Sequence, residues 1–289
     1  MILVTTPTGD ISARVLEHLL NAKASVRVVV RDANKLSKSV AEQVEVIEGS
    51  HADAAVIGRA LDGADRVFWL PPGSPVAPDA HAAYVTFSRP FIEALPGSGV
   101  SHVVGISALG RGWPGPAGLV TASLAMDDLI GRTGVAYRAL CCASLMDNLM
   151  RQLDAIRGGA LYVPAPADRA MPLVAKADVA AEASRLLFSD WNGVAEVPMP
   201  GPEDLSHNEM AAILTEVLRQ PIAFHEIPVP AFAEMLRGMG ASEGMVHDYA
   251  AMMAAKATGL DEMVPSASRK ASPTTFRSWA EAELRPALA

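Results

Sequence analysis

Alternation constrains this chain more than any other feature. Short β-branched runs, Ile2 to Thr5, Val26 to Val30, Val44 to Ile47, Val67 to Leu70, Val103 to Ile106 and Val135 to Leu140, follow one another at intervals that each leave room for a helix. The first interval holds Asp10 to Leu20, with Ile11, Val15 and Leu19 on one helical face. Val26 to Val30 is almost continuously apolar, as a strand covered on both faces must be. Alternating β and α at this spacing predicts a parallel sheet joined by right-handed crossovers.

The second half changes character. Ser206 followed by Glu209 is a capping box opening a helix through Leu218. Ile222 to Val229 reads as a strand and Pro230 to Lys256 as mostly helical, and Ser272-Pro273 stands where an N-cap and first helical residue belong, ahead of Phe276 and Trp279. The expected organisation is a doubly wound domain over residues 1–150. A smaller helix-rich lobe follows over 151–289, with some segments returning to the sheet.

Composition limits the partners. With 50% hydrophobic residues in 289, the chain can bury a large core. A net charge of −8 and the lack of any Lys/Arg block argue against nucleic acid. Two adjacent cysteines, Cys141 and Cys142, form no disulfide framework, and no ligand-spaced cluster points to a metal. The opening MILVTTPTGD reads as a strand and not as a secretory leader. No run approaches the ~20 apolar residues of a membrane span. A cytoplasmic protein is expected, and a homodimer is compatible with the sequence.

The most informative local signal is the turn after the first run, Thr5-Thr6-Pro7-Thr8-Gly9-Asp10-Ile11-Ser12. A dinucleotide-binding sheet needs a tight strand-to-helix turn there, with backbone N–H groups and a helix N-terminus facing a pyrophosphate. Glycines suit it because they permit unusual φ and close approach. Only Gly9 remains of three; Thr6 and Ser12 stand in for the others, and Pro7 lacks an N–H. The hydroxyls of Thr6 and Thr8 are candidate replacements for backbone contacts to phosphate. At the end of the second run, Arg31, with Lys35 nearby, suits a ribose 2′-phosphate and so favours NADP(H), while Asp32 keeps NAD open.

Along nearly its whole length the chain resembles the NmrA-like family of atypical short-chain dehydrogenases. VTTPTGDIS is similar to the family's VTGATGxxG opening, and VRVVVRDANKL, VEVIEGSHAD, ALDGADRVFWLPP and VSHVVGISALG resemble its next four strand ends in order. The segment MDDLIGRTGVAYRALCCASLMDNLM resembles the helix and strand that lead to its substrate cleft. The family includes quinone, azo and triphenylmethane-dye reductases, isoflavone-reductase relatives and non-catalytic NADP-sensing regulators. The resemblance implies an α/β Rossmann-type sheet with a C-terminal substrate lobe. It implies cofactor contacts at Thr6, Thr8, Gly9, Asp10, Ile11, Arg31, Leu70 and Pro71, and places Ser107 where nicotinamide and substrate meet.

Departures from the family pattern matter too. Gly49-Ser50 replaces an adenine-side Gly-Asp pair, Ser123 stands where the reductases often carry histidine four residues before the position of Asp127, and Cys141-Cys142 replaces Arg-Pro. Neither Tyr84 nor Tyr137 has a lysine four residues on, so the proton-donating pair of ordinary short-chain dehydrogenases is missing. Alcohol oxidation is thereby disfavoured. Hydride transfer to a quinone or dye asks less of the protein, because the cofactor carries the hydride.

Ser107, Ser123 and Tyr137 are the candidate catalytic hydroxyls, Ser107 foremost because it ends a central strand; Tyr137 also reads as core. A nucleophilic Cys141 is disfavoured because no histidine lies nearby in sequence. The Gly110–Gly118 segment, carrying Trp113, reads equally as a lid over a small aromatic substrate and as a plain loop. Met146 and Asn148 join Trp113 as substrate-binding candidates. Of Met235, Met239, Met245, Met252, Met253 and Met263, most are expected in helix core. Three classes stay open: an NAD(P)H-dependent oxidoreductase of an aromatic or quinone-like molecule, a tailoring oxygenase on a polycyclic polyketide, and an NADP-sensing regulator without turnover.

Overall fold

Ile2–Thr5 (β1) and Val26–Val30 (β2) are buried at every residue, because each lies inside a sheet covered on both faces. The computed structural model describes residues 1–263 and 272–289. Between these two strands runs Asp10–Asn21 (α1), and after them come Glu45–Glu48 (β3), Ala54–Leu61 (α2), Arg66–Trp69 (β4), Phe87–Ala94 (α3), His102–Ala108 (β5), Leu119–Gly131 (α4), Ala136–Cys142 (β6), Lys176–Leu187 (α5) and Val194–Met199 (β7). The seven strands lie in the order β7-β6-β5-β4-β1-β2-β3. The pairs β3–β2, β2–β1, β1–β4 and β4–β5 are all parallel, with Val4 opposite both Val28 and Phe68. The chain thus winds outward one way from β1 to β3, then jumps back across β1 to β4 and winds the other way. This is the doubly wound α/β sheet that the alternation predicts, with strand ends shifted by one or two residues.

One charge interrupts the apolar run of β2. Arg27 is 8% exposed, and its guanidinium donates to the carbonyls of Arg59, Ala60 (2.9 Å) and Asp62 while pairing with Glu45 at 3.0 Å. It closes the C-terminus of α2, whose last carbonyls have no partner within the helix. Asp53 caps the opposite end, accepting from Ala55 N–H at 2.8 Å.

The described chain forms two compact units: residues 1–107, 122–140 and 179–197 make the first, and residues 108–121, 141–178 and 198–289 the second. The second unit has its own core, in which Met146, Ile156, Leu161, Met210, Leu214, Phe276 and Trp279 are buried together. The capping box opens His207–Leu218 (α6) as expected, with Ser206 N–H donating to Glu209 at 2.8 Å.

Three expectations are corrected here. The C-terminal helix is capped by Thr275 and starts at Phe276, not at Ser272-Pro273, because Asp178 holds Thr274 through its N–H and hydroxyl and Glu203 accepts from Phe276 N–H. The strand expected over Ile222–Val229 is only Ala223–Glu226; Pro228 then opens Val229–Gly238 (α7). Of the six methionines, Met245 alone is buried; Met235, Met239 and Met263 are exposed, and the helix that carries Met235, α7, contributes no residue to the core.

Cys141 and Cys142 are both free and buried, and burial pushes the Cys142 thiol up to about 12. Among the described residues no helix is long and apolar enough to cross a membrane, and no group of acidic, His or Cys side chains is placed to hold a metal ion.

Truncating Arg27 to alanine strips partners from three helix-terminal carbonyls at once. Arg27→Ala should lower the unfolding free energy by about 3 kcal/mol, as for other buried charge-assisted hydrogen bonds. Chemical denaturation measures it; a loss below about 1 kcal/mol would show that water replaces the guanidinium.

Candidate functional site

The turn between β1 and α1 is built by side chains as much as by backbone. Where β4 stops pairing, Leu70 N–H donates to Thr5 Oγ1 at 2.9 Å, and Thr5 Oγ1 in turn donates to Phe68 O at 3.1 Å. Thr6 Oγ1 donates to Leu70 O at 2.5 Å. Thr6 N–H donates to His51 Nε2 at 3.0 Å, and Thr6 O accepts from Gly9 N–H at 2.9 Å. Every polar atom of Thr6 is engaged by the protein, so Thr6 frames the loop, and its hydroxyl proton is not offered to a phosphate.

The unusual backbone angle also falls on Thr6, at φ +54°. Gly9 is ordinary, at φ −85°, ψ 150°. Its value is space, because a Cβ there would lie 3.3 Å from Thr6 O. Gly9 is the N-cap of α1, no side chain caps that first turn, and Asp10 and Thr8 are exposed beside it. Amide donors at an uncapped helix start, next to a residue without a side chain, fit a pyrophosphate. Ser12, in the third glycine's place, is fully buried and its hydroxyl has no hydrogen-bond partner. The helix–sheet contact therefore tolerates a Cβ.

Arg31 follows β2 and is exposed. The neighbouring carboxylate of Asp32 is turned into its own loop, accepting from Asn34 N–H at 3.0 Å. Lys35 lines a cavity of about 410 Å³ together with Pro7, Thr8 and Leu36. His51 is 4% exposed, between the rings of Trp69 and Phe87. Burial, with the Arg31 charge adding, lowers its pKa to about 4. It is neutral near pH 7 and serves as an acceptor for Thr6.

A second cluster sits at the carboxyl end of β5. Ser107 Oγ donates to Asp127 Oδ2, Tyr137 OH donates to Asp127 Oδ1 at 2.5 Å, and Ser123 Oγ lies 3.4 Å from Ser107 Oγ. All four side chains are buried, Asp127 at 3% exposure. Ser123 and Asp127 stand four apart on α4 and so share a face. Tyr137, on β6, reaches Asp127 only because β5 carries Gly105, where a Cβ would fall 2.3 Å from the tyrosine hydroxyl. The three hydroxyls singled out in the sequence thus meet around one carboxylate. Ser107 gives its single proton to Asp127 and presents lone pairs elsewhere.

The remaining candidates belong to the second unit. Trp113 is half-buried, its N–H donating to Gly110 O at 3.0 Å. Met146 is buried in that unit's core and Asn148 is exposed. Two residues of the first unit were not among the candidate site residues read from the sequence. Asp127 was legible only as the acidic position four residues after Ser123. His51 left no signal, since its partner is a backbone N–H 45 residues away.

The family described as NAD(P)H-binding matches residues 7–190. The chain is 28% identical over 246 residues to an NAD(P)H azoreductase of Xenophilus azovorans, covering 85% of this chain and 83% of that one. It is 23% identical over 247 residues to quinone oxidoreductase 2 of Escherichia coli, covering 85% and 84%. The solved structure of the NADPH-dependent quinone oxidoreductase of Escherichia coli in complex with NADPH superposes with TM-score 0.80 at 22% identity, over 98% of this chain and 99% of that one. A structure from Staphylococcus aureus described as a nucleoside-diphosphate-sugar epimerase gives TM-score 0.82 at 21% identity, over 97% and 99%. The relatives agree with the NmrA-like resemblance, and the chain belongs to the NAD(P)H-binding family.

Proposed function

We propose that the chain is an NAD(P)H-dependent oxidoreductase that prefers NADPH and reduces an aromatic or quinone-like small molecule. The observation that carries this reading is the Ser107–Asp127–Tyr137 cluster. It holds hydroxyls in fixed orientation at the carboxyl end of β5, and Cys141 stands four residues after Tyr137, where the tyrosine–lysine pair of alcohol chemistry has its lysine. When bound, the dinucleotide supplies the hydride. The amides that open α1 and the space over Gly9 hold its pyrophosphate, with Thr8, Asp10 and Ile11 alongside and Leu70-Pro71 bordering the turn. Arg31 meets the 2′-phosphate, an assignment supported by the engagement of Asp32 in its own turn.

On the substrate side, the Ser123 Oγ proton is the donor offered to a carbonyl or azo acceptor, while Ser107 Oγ, its own proton held by Asp127, accepts from the O–H or N–H that forms as the acceptor is reduced. Tyr137 donates to Asp127 and so fixes the carboxylate instead of delivering its own proton. An acceptor that takes its protons from water, such as a quinone, an azo bond or a dye cation, suits this arrangement. The named activity of the azoreductase relative, matched along most of both chains, supports the same class. Of the second unit's candidates, Trp113 and Asn148 retain surface to touch a flat ligand, whereas Met146 is buried in that unit's own core and is set aside as a ligand contact. The reading places the enzyme in the cytoplasm, free or as a homodimer, with neither nucleic acid nor membrane as partner; the net charge of −8 supports the last point.

Purified protein is expected to oxidise NADPH when offered a panel of quinones, azo dyes and triphenylmethane dyes. Tight NADPH binding with no turnover on any acceptor would overturn the reductase reading in favour of a sensor. Oxygen uptake on a polycyclic aromatic with no dye reduction would favour the tailoring class. Ser107→Ala should lower kcat/KM roughly 5- to 150-fold, the worth of one substrate hydrogen bond; an unchanged rate removes Ser107 from the site. Arg31→Ala should weaken NADPH binding about tenfold or more and leave NADH nearly unaffected, as loss of a charge-assisted phosphate contact does. Calorimetric titration of both nucleotides decides it, and parallel losses for the two would refute the assignment.

A further inference from the structure

The first position of the phosphate loop presents a problem that the fold has to solve. A β-branched residue at φ +54° is a genuine outlier, and such backbone persists only where its surroundings over-determine it. Glycine would sit there without strain. Here a threonine does, and three hydrogen bonds hold it: its hydroxyl to Leu70 O, its carbonyl from Gly9 N–H, and its N–H to His51 Nε2. The first two partners belong to the turn and its neighbouring strand end. The third is a side chain from a separate loop, caged by Trp69 and Phe87 so that it has little freedom to move.

We propose that His51 is a positioning residue for the nucleotide: its imidazole holds Thr6 in the left-handed conformation that a glycine adopts unaided, and thereby sets the loop for the pyrophosphate. The inference rests on the nucleotide-binding reading above and adds a residue to it. His51 touches no reacting atom. It acts through Thr6, whose carbonyl receives Gly9 N–H and so fixes the start of α1. The geometry requires the ring proton on Nδ1 and a bare Nε2. Apolar replacements therefore fail, whereas an amide oxygen of suitable reach substitutes in part.

The test is a double-mutant cycle between positions 6 and 51 in the full chain. His51→Leu should raise the Kd for NADPH about tenfold or more, and raise KM for NADPH while kcat at saturating NADPH holds. His51→Gln should lose less. In a Thr6→Gly background, adding His51→Leu should change Kd by no more than about threefold, because glycine needs no tether. A His51→Leu protein that binds NADPH like the parent, or a loss just as large in the Thr6→Gly background, overturns the proposal. Should His51→Leu not fold, Thr6→Gly/His51→Leu against Thr6→Gly, with His51→Gln, carries the same comparison. The cycle is also read by urea unfolding without nucleotide, where positions 6 and 51 should be coupled. If the parent binds no NADPH, the nucleotide reading fails alone. Coupling in unfolding then sustains the His51–Thr6 device, and additive unfolding effects refute it.

Discussion

Where β1 and β4 end side by side, the sheet changes its direction of winding, and a pair of threonines takes over from the ladder. Parallel pairing stops at Trp69, which would leave Leu70 N–H and C=O without strand partners. Thr5 Oγ1 accepts from that N–H, and Thr6 Oγ1 donates to that carbonyl. A buried backbone group left unpaired costs about 1–3 kcal/mol, so these bonds let the strands separate without penalty. The loops after β1 and β4 depart in opposite directions from this point, and ligands of doubly wound sheets bind at such a divergence. The position of Gly9, the start of α1 and the strain at Thr6 all depend on it.

The carboxylate cluster depends on a different constraint. Asp127 is buried on a helix packed against the sheet, and a buried charge must be hydrogen-bonded or it destabilises the fold. Its two oxygens are served from two strands, Ser107 on β5 and Tyr137 on β6. Tyr137 crosses over β5 through the gap above Gly105. Structure and chemistry are not separable here: the groups that satisfy Asp127 are those that orient Ser107. Their rigidity comes from the packing of the sheet and not from a flexible loop.

Much of this was legible from residue order. β-branched runs announce strands whatever the tertiary context, and the Ser206–Glu209 box announces its helix, because both depend on neighbours along the chain. Four things were not. Sequence placed the special backbone at a glycine, yet Thr6 bears it, since long-range hydrogen bonds overrode the local preference. His51 has no periodicity or spacing that could betray a bond to a distant amide. Ser272 and Thr275 are equally good caps by residue type, and only the contacts of Asp178 and Glu203 choose between them. Tyr137 read as core and is core, but its hydroxyl partner was invisible without the register of β5 beside β6.

The two thiols have a bearing on what such an enzyme handles. Quinones and related electrophiles add covalently to thiolates, so a protein that meets them at every turnover risks alkylating itself. This chain has only two cysteines, both enclosed, and the raised pKa of Cys142 leaves it almost wholly in the unreactive thiol form near neutral pH. The side chains that replace the family's Arg-Pro at the end of β6 thus offer no soft nucleophile to the solvent, and the same enclosure that makes them inert as nucleophiles keeps them from electrophiles of the class proposed as substrates.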